Sequence, residues 1–259
     1  MKKNKIANKE KIEEVYEKIK NLKKQKLFLI EDPKTLEIAI DYKLKPIVIF
    51  VTEKILSENI QLFSSSDMIE DKIYIISDKK LKKLKQVKTN PGIIALFKKR
   101  EKFKEKSKKN AYFIALDRVQ DPGNVGTIIR SALNFGVSRI LLSSGSASIY
   151  NPKVVRGSMG TVMIQHIEEK VNLEKRISEL KENGFGVYLT SSTIGKRIDK
   201  IKPVFPSIFV FGNESRGVSK EIEKFANHWI RIPTTQKTDS LNVSISASII
   251  MYELFKRTT

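Results

Sequence analysis

Apolar side chains recur at Ile12, Val15, Tyr16, Ile19 and Leu22, the three- and four-residue spacing of one helical face, so an amphipathic helix is predicted from Lys9 to about Lys26. Short β-branched runs follow at Leu27–Ile30, Pro46–Thr52, Ile73–Ser77 and Gly92–Phe97, with helical patterns at Thr35–Lys43 and Lys79–Gln86 between them. Strands alternating with helices predict a small α/β unit that closes near residue 98. Residues 99–110 are then almost all charged and cannot bury a core, which marks a basic linker.

The alternation returns on a larger scale beyond the linker. Tyr112–Leu116, Arg139–Ser143, Gly186–Ser191, Ser207–Phe211 and Trp229–Ile232 read as strands, and 124–135, 173–183, 219–226 and 243–257 as helices. The 259 residues suffice for two domains with separate cores. The expected architecture is therefore α/β in two domains, 1–98 and 111–259, with no internal repeat.

Charge changes this picture by suggesting a partner. The formal net charge is +20, with +13 on residues 1–110 and +7 on residues 111–259. Between Lys79 and Lys109 stand fourteen basic residues and two acidic ones. Such a field favours a polyanion, nucleic acid being the commonest, and makes the front domain the candidate docking half. A solvated lysine face would give the same composition. The absence of cysteine removes disulfides, Cys-ligated zinc and thiolate nucleophiles, and no metal is expected. No apolar secretory segment follows Met1, and no apolar run approaches the roughly 18 residues of a membrane span. A cytoplasmic location without a membrane partner is the expectation.

Candidate chemistry gathers at three strand-to-helix junctions. The first is Asp121-Pro122-Gly123-Asn124-Val125-Gly126 with Arg130, in which Asn124 reads as the helix N-cap. The second is Gly212-Asn213-Glu214-Ser215-Arg216-Gly217, a carboxylate at the end of an apolar strand, with Ser219 as a capped helix start. The third is Ile232-Pro233, then Ser240-Leu241-Asn242-Val243-Ser244 opening an apolar helix. Each alone is an ordinary turn or cap. Polar groups at such junctions can converge at one edge of an α/β sheet, where these folds bind ligands.

In order and spacing the three resemble the motifs of the SpoU-type RNA ribose 2′-O-methyltransferases, a branch of the trefoil-knot (SPOUT) superfamily, across residues 112–259. The match lies in Asn124, Gly126 and Arg130, in Gly212-Asn213-Glu214 with Gly217, and in Ile232-Pro233 with Ser240-Leu241-Asn242-Val243-Ser244. More weakly, the front domain resembles the L30e-like RNA-binding domain, through Leu29-Ile30-Glu31, Val51-Thr52-Glu53 and Lys88-Thr89-Asn90-Pro91-Gly92-Ile93. Thr234 and Asp32 depart from the residues many relatives carry, Met and Gly.

The resemblance implies a knotted C-terminal domain, although true knots are essentially absent from proteins at large. It implies S-adenosylmethionine as methyl donor, held at Thr190, Ser191, Gly212, Asn213, Ile232 and Leu241, and a homodimer formed through the same domain. Arg130, Asn124, Glu214, Ser240 and Asn242 are the implied catalytic positions. The family's Arg, here Arg130, is often credited as the base, yet guanidinium loses a proton only above about pH 12, so its role stays open. The implied substrate is RNA, ribosomal RNA being favoured by the extra front domain, with transfer RNA as the alternative. A catalytically silent RNA-binding protein of the same fold is a further alternative. A nucleotide-dependent oxidoreductase should carry Gly-x-Gly-x-x-Gly after its first strand, and none is present.

Overall fold

The computed structural model describes residues 5–64, 67–87, 89–99, 111–235, 237 and 240–257. Most of the expected linker, 100–110, lies outside the described residues. Elements in chain order are β1 (Lys5–Ile6), α1 (Lys9–Lys20), β2 (Leu27–Ile30), α2 (Pro33–Asp41), β3 (Val48–Val51), α3 (Glu53–Glu58), α4 (Ile60–Ser64), α5 (Asp67–Glu70), β4 (Ile73–Ile75), α6 (Asp78–Leu81) and β5 (Ile93–Lys98). They continue with β6 (Tyr112–Leu116), α7 (Pro122–Asn134), β7 (Arg139–Ser143), α8 (Pro152–Gly157), β8 (Ile167–Val171), α9 (Leu173–Glu182), β9 (Gly186–Thr190), β10 (Lys196–Arg197), β11 (Ser207–Phe211), α10 (Lys220–Glu223), β12 (His228–Arg231) and α11 (Val243–Phe255).

The chain forms two compact units, and a cut in sequence at residue 110 does not separate them. Unit 1 comprises residues 1–101 together with 150–163; unit 2 comprises 102–149 and 164–259. Unit 1 is built on a five-stranded sheet ordered β1-β4-β3-β5-β2, in which β5 runs antiparallel to both neighbours. Its helices begin where polar side chains take up free backbone amides. Asn8 accepts from Lys11 N, Asp32 from Thr35 N at 2.8 Å, and Thr52 caps α3. Asp32, one of the departures from the family pattern, thus has a capping task.

The expected first helix is six residues too long. Asn21 ends α1, its amide donating to Glu17 O, and Lys26 takes a left-handed φ of 52° before β2. The predicted helix Lys79–Gln86 shrinks to α6, because Gln86 N is drawn to the buried Glu31 carboxylate at 2.9 Å. Helices α3–α5 and α8 and strands β1, β8 and β10 lack a predicted counterpart. In β8 the run Glu168-Glu169-Lys170 carries no apolar alternation, since this strand lies at the edge of its sheet.

Residues 150–163 are held within unit 1 by specific contacts. The Tyr150 ring lies tilted against Phe28 with centroids 5.3 Å apart, α8 packs on β2, and Arg156 donates to Thr89 Oγ1 at 3.2 Å. Deleting residues 1–98 is therefore expected to uncover Val154 and Val155, now 0% and 2% exposed, at about 1.5–3 kcal/mol per side chain. Thermal unfolding of the truncated chain should show a lower midpoint or aggregation. An unchanged midpoint would mean that these residues find their burial elsewhere.

Unit 2 is a seven-stranded, wholly parallel sheet ordered β10-β12-β9-β11-β6-β7-β8. Its central strands are buried along their length, which explains why they appear in the sequence as unbroken apolar runs. On one face Leu173, Ile177 and Leu180 of α9 and Ile222 of α10 cover Phe113, Ala115, Val187, Leu189, Ile208 and Val210. The opposite face is covered by α7 and α11, which pack on each other and share a Ser131–Ser248 hydroxyl contact of 2.8 Å. All the strands point the same way, so every strand end used by the three motifs lies at one sheet edge.

Candidate functional site

The strand order reverses direction at β6 and β11. From β6 the chain builds outward through β7 and β8, and β9, β11 and β12 fill the other side. A crevice at the carboxyl ends of such a pair is where open α/β sheets bind ligands. All three motifs meet at this point. Asn124 Nδ2 donates to Glu214 Oε1 at 2.9 Å, and Asn242 Nδ2 donates to Asn124 Oδ1 at 2.9 Å. Residues 90 and 118 positions from Asn124 are thus joined through one amide.

Local structure explains why Asn124 is available. Asp121, three residues earlier, is the true N-cap of α7, its carboxylate accepting from Asn124 N at 2.8 Å, with Pro122 in the first turn. The expected cap at Asn124 is therefore corrected, and the Asn124 side chain is released to bridge. Asn242 does cap its helix: Oδ1 accepts from Ser244 N at 2.8 Å and Ser244 Oγ at 2.6 Å. Ser219 precedes α10 but makes no side-chain cap; instead its amide donates to the buried Asp117 carboxylate at 2.8 Å.

The second motif folds tightly upon itself. Asn213 Oδ1 accepts from Ser215 N and Arg216 N at 3.0 and 3.2 Å, its Nδ2 donates to Arg118 O at 2.9 Å, and Gly217 closes the loop at φ 67°. A Cβ at Gly212 would stand 2.0 Å from the Gly217 carbonyl carbon, so only glycine permits this return. The loop fixes Glu214 opposite Asn124, where the carboxylate is exposed.

Arg130 does not join the chain of amides. It lies six residues beyond Asn124 on α7, about 9 Å further along the axis and off its face. Arg130 is exposed; its backbone carbonyl accepts from Asn134 Nδ2 at 2.9 Å, and its guanidinium makes no protein hydrogen bond among the described residues. Ser240 is exposed two residues before Asn242.

Of the residues implied for the donor, Thr190 and Ser191 lie at the end of β9, Gly212 and Asn213 at that of β11 and Ile232 at that of β12, three neighbouring strands, while Leu241 stands just before α11. Their polar side chains are mostly used internally. Thr190 Oγ1 donates to Val210 O at 3.0 Å, and Ser191 Oγ accepts from Thr193 N and Ile194 N. Thr190, Ser191 and Asn213 thus also have structural tasks in these loops, and the Ile232 and Leu241 side chains are half-buried. Apolar walls with backbone donors and acceptors fit a neutral heteroaromatic base such as adenine. The residues present thus fit S-adenosylmethionine.

Sequence reasoning missed Asp117, Arg118 and Ser143. Asp117 is buried and holds Ser219 N, while Arg118 N donates to Ser143 Oγ at 2.8 Å. A charged pair placed directly after the apolar strand Tyr112–Leu116 was the available signal.

With this geometry in view, the chain matches the family model for the SpoU rRNA Methylase family over residues 111–252. A tRNA/rRNA methyltransferase of Borreliella burgdorferi is 36% identical over 180 residues, which cover 68% of this chain and 75% of that protein. Among such curated relatives the chain spans 58% to 75% of their own length. A solved structure described as an RNA 2′-O ribose methyltransferase is 26% identical, covers 97% of each chain and superposes with a TM-score of 0.81. An AdoMet-bound rRNA methyltransferase from Sinorhizobium meliloti shares the fold at a TM-score of 0.80 and 23% identity, covering 99% of this chain and 98% of its own.

Proposed function

We propose that this chain, which belongs to the SpoU rRNA methylase family, methylates a ribose 2′-hydroxyl of 23S-type ribosomal RNA with S-adenosylmethionine as donor. The carrying observation is the Asn242–Asn124–Glu214 chain, which gathers all three motifs at the switch point of the sheet. The ribosomal assignment is supported by the rRNA methyltransferase fold that spans both units. In the same reading unit 1 is an L30e-like RNA-docking unit, unit 2 carries the knot, and the protein acts in the cytoplasm; no helix among the described residues is long and apolar enough to cross a membrane.

When bound, the donor supplies a methyl group on a sulfonium, an electrophile that needs an in-line oxygen. The protein's part is to place that oxygen and help its proton leave. Gly212, Ile232 and Leu241 hold the donor through backbone atoms and apolar contact. Glu214, fixed by the Asn124 amide, accepts a hydrogen bond from a ribose hydroxyl, and Asn242 orients Asn124 in turn. Ser240 offers a hydroxyl at the mouth of the site. Arg130 clamps the phosphate beside the reacting ribose, so that phosphate or water takes the proton. Positioning of this kind can contribute roughly 7–11 kcal/mol to a barrier.

The second copy of the chain supplies a matching half. Ile245, Tyr252 and Phe255 leave an exposed apolar stripe on α11, with Phe135, the residue that follows α7, 5.9 and 6.0 Å from the two rings. A patch of this kind marks an association surface. Ile245→Asp is expected to convert dimers to monomers in sedimentation; an unchanged mass would place the interface elsewhere. For the reaction itself, incubation with methyl-labelled donor and total bacterial RNA in the presence of a chelator should transfer label to RNA. Failure to label RNA that the protein binds would sink the enzyme reading in favour of an assembly factor.

A further inference from the structure

At the carboxyl end of β6, Arg118 is an arginine in a glycine's conformation. Its φ is 57°, a left-handed value that a residue with a Cβ adopts at a cost. Two backbone bonds hold it there: Arg118 N donates to Ser143 Oγ at 2.8 Å, and Arg118 O accepts from Asn213 Nδ2 at 2.9 Å. The residue thereby ties the ends of β6 and β7 to the Gly212–Gly217 loop. Strained residues held by surrounding bonds cluster at functional sites.

The side chain is paired with a neighbouring carboxylate but underused. Arg118 Nε lies 3.2 Å from Asp117 Oδ1 without hydrogen-bond alignment, and Nη2 donates to Asp117 Oδ2 at 3.4 Å. Of five guanidinium donors, only this one finds a protein acceptor among the described residues, and buried Nε has none. Asp117 is 3% exposed, so the carboxylate that orients the guanidinium is itself fixed. The Arg118 side chain remains 39% exposed, and its stem runs beside Gly145, where a Cβ would lie 3.5 Å from Cγ. Gly145 and exposed Ser144 belong to the Ser143-Ser144-Gly145-Ser146 turn after β7.

We propose that Arg118, oriented by Asp117 beside the Ser144–Gly145 turn, binds an RNA phosphate flanking the acceptor nucleotide. The inference rests on the methyltransferase reading above and adds a subsite to it. An oxyanion is the ligand that an under-satisfied planar fork selects. We assign that oxyanion to an RNA phosphate rather than the donor's carboxylate, because Arg118 ends β6 and faces the turn after β7, on the opposite side of β11 from β9 and β12, whereas the donor residues lie on β11, β9 and β12.

The test compares the full-length protein with Arg118→Gly and Arg118→Lys. Glycine takes the left-handed φ without strain, so the backbone ties persist. For Arg118→Gly, equilibrium binding to a ribosomal RNA fragment should weaken about tenfold. The slope of log K against log salt should fall by about 0.7–0.9, one phosphate's contribution. Arg118→Lys should keep most of that slope, because the charge remains, while binding less tightly than the parent. The donor's dissociation constant should stay within a few-fold in both. An unchanged salt slope in Arg118→Gly overturns the proposal. So does a tenfold loss of donor affinity, which would place the donor's carboxylate on Arg118. A parent protein that binds no RNA overturns the methyltransferase reading itself.

Discussion

Replacing Arg130 with Ala is expected to lower turnover by at least about a hundredfold, the scale of losing one preorganised donor at a reacting centre. Donor affinity should meanwhile stay within a few-fold. Arg130 is exposed on α7 and takes no part in the Asn242–Asn124–Glu214 chain. Alanine favours the helix, so α7 should persist and a lost rate cannot be blamed on unfolding. Lysine should rescue poorly, because a point charge cannot reproduce a planar fork of donors. An arginine with only solvent around it would leave activity and stability within about 0.5 kcal/mol of the parent. Near-normal single-turnover rates in Arg130→Ala would remove it from the mechanism.

Asn124 carries the second large effect. Its one amide serves Glu214 through Nδ2 and Asn242 through Oδ1, so Asn124→Ala breaks both links and frees the Glu214 carboxylate. Turnover should fall by about two orders of magnitude. Stability should change little, by about 1 kcal/mol, because the lost bonds are exposed and the Asp121 cap is a backbone contact that alanine retains. Asn124→Asp makes a sharper comparison. It keeps the acceptor for Asn242 but sets a second carboxylate against Glu214, and like charges at that range favour retention of a proton. Its activity should therefore recover relative to Asn124→Ala as pH falls, since the protonated pair restores an O–H donor. Equal pH profiles for the two variants would separate Glu214 from Asn124 in the working enzyme.

Much of this was legible in the residues, for physical reasons. The buried parallel strands of unit 2 are continuous apolar runs such as Ser207–Phe211, and turn residues bound them clearly. The motif residues were legible as types but not in their tasks. Asn124 looks like a cap because it opens a helix pattern. That Asp121 caps instead depends on Pro122 setting the first turn, which only the three-dimensional start of α7 decides. Thr190 and Ser191 read as ligand contacts, and no pattern in the residues shows that their hydroxyls also bond Val210 O and the amides of Thr193 and Ile194. Residues 150–163 follow the linker in chain order, whereas contacts group them with unit 1, where Tyr150 meets Phe28 and Arg156 meets Thr89. Arg118 stayed hidden because no sequence pattern announces a left-handed arginine.

The position of the transferred methyl group tests the central claim most directly. RNA labelled by the protein from methyl-labelled S-adenosylmethionine is hydrolysed with alkali and the products are separated by size and charge. Alkaline cleavage requires a free 2′-hydroxyl, so ribose methylation should place the label in alkali-resistant dinucleotides. Label recovered in mononucleotides carrying a methylated base would contradict the account.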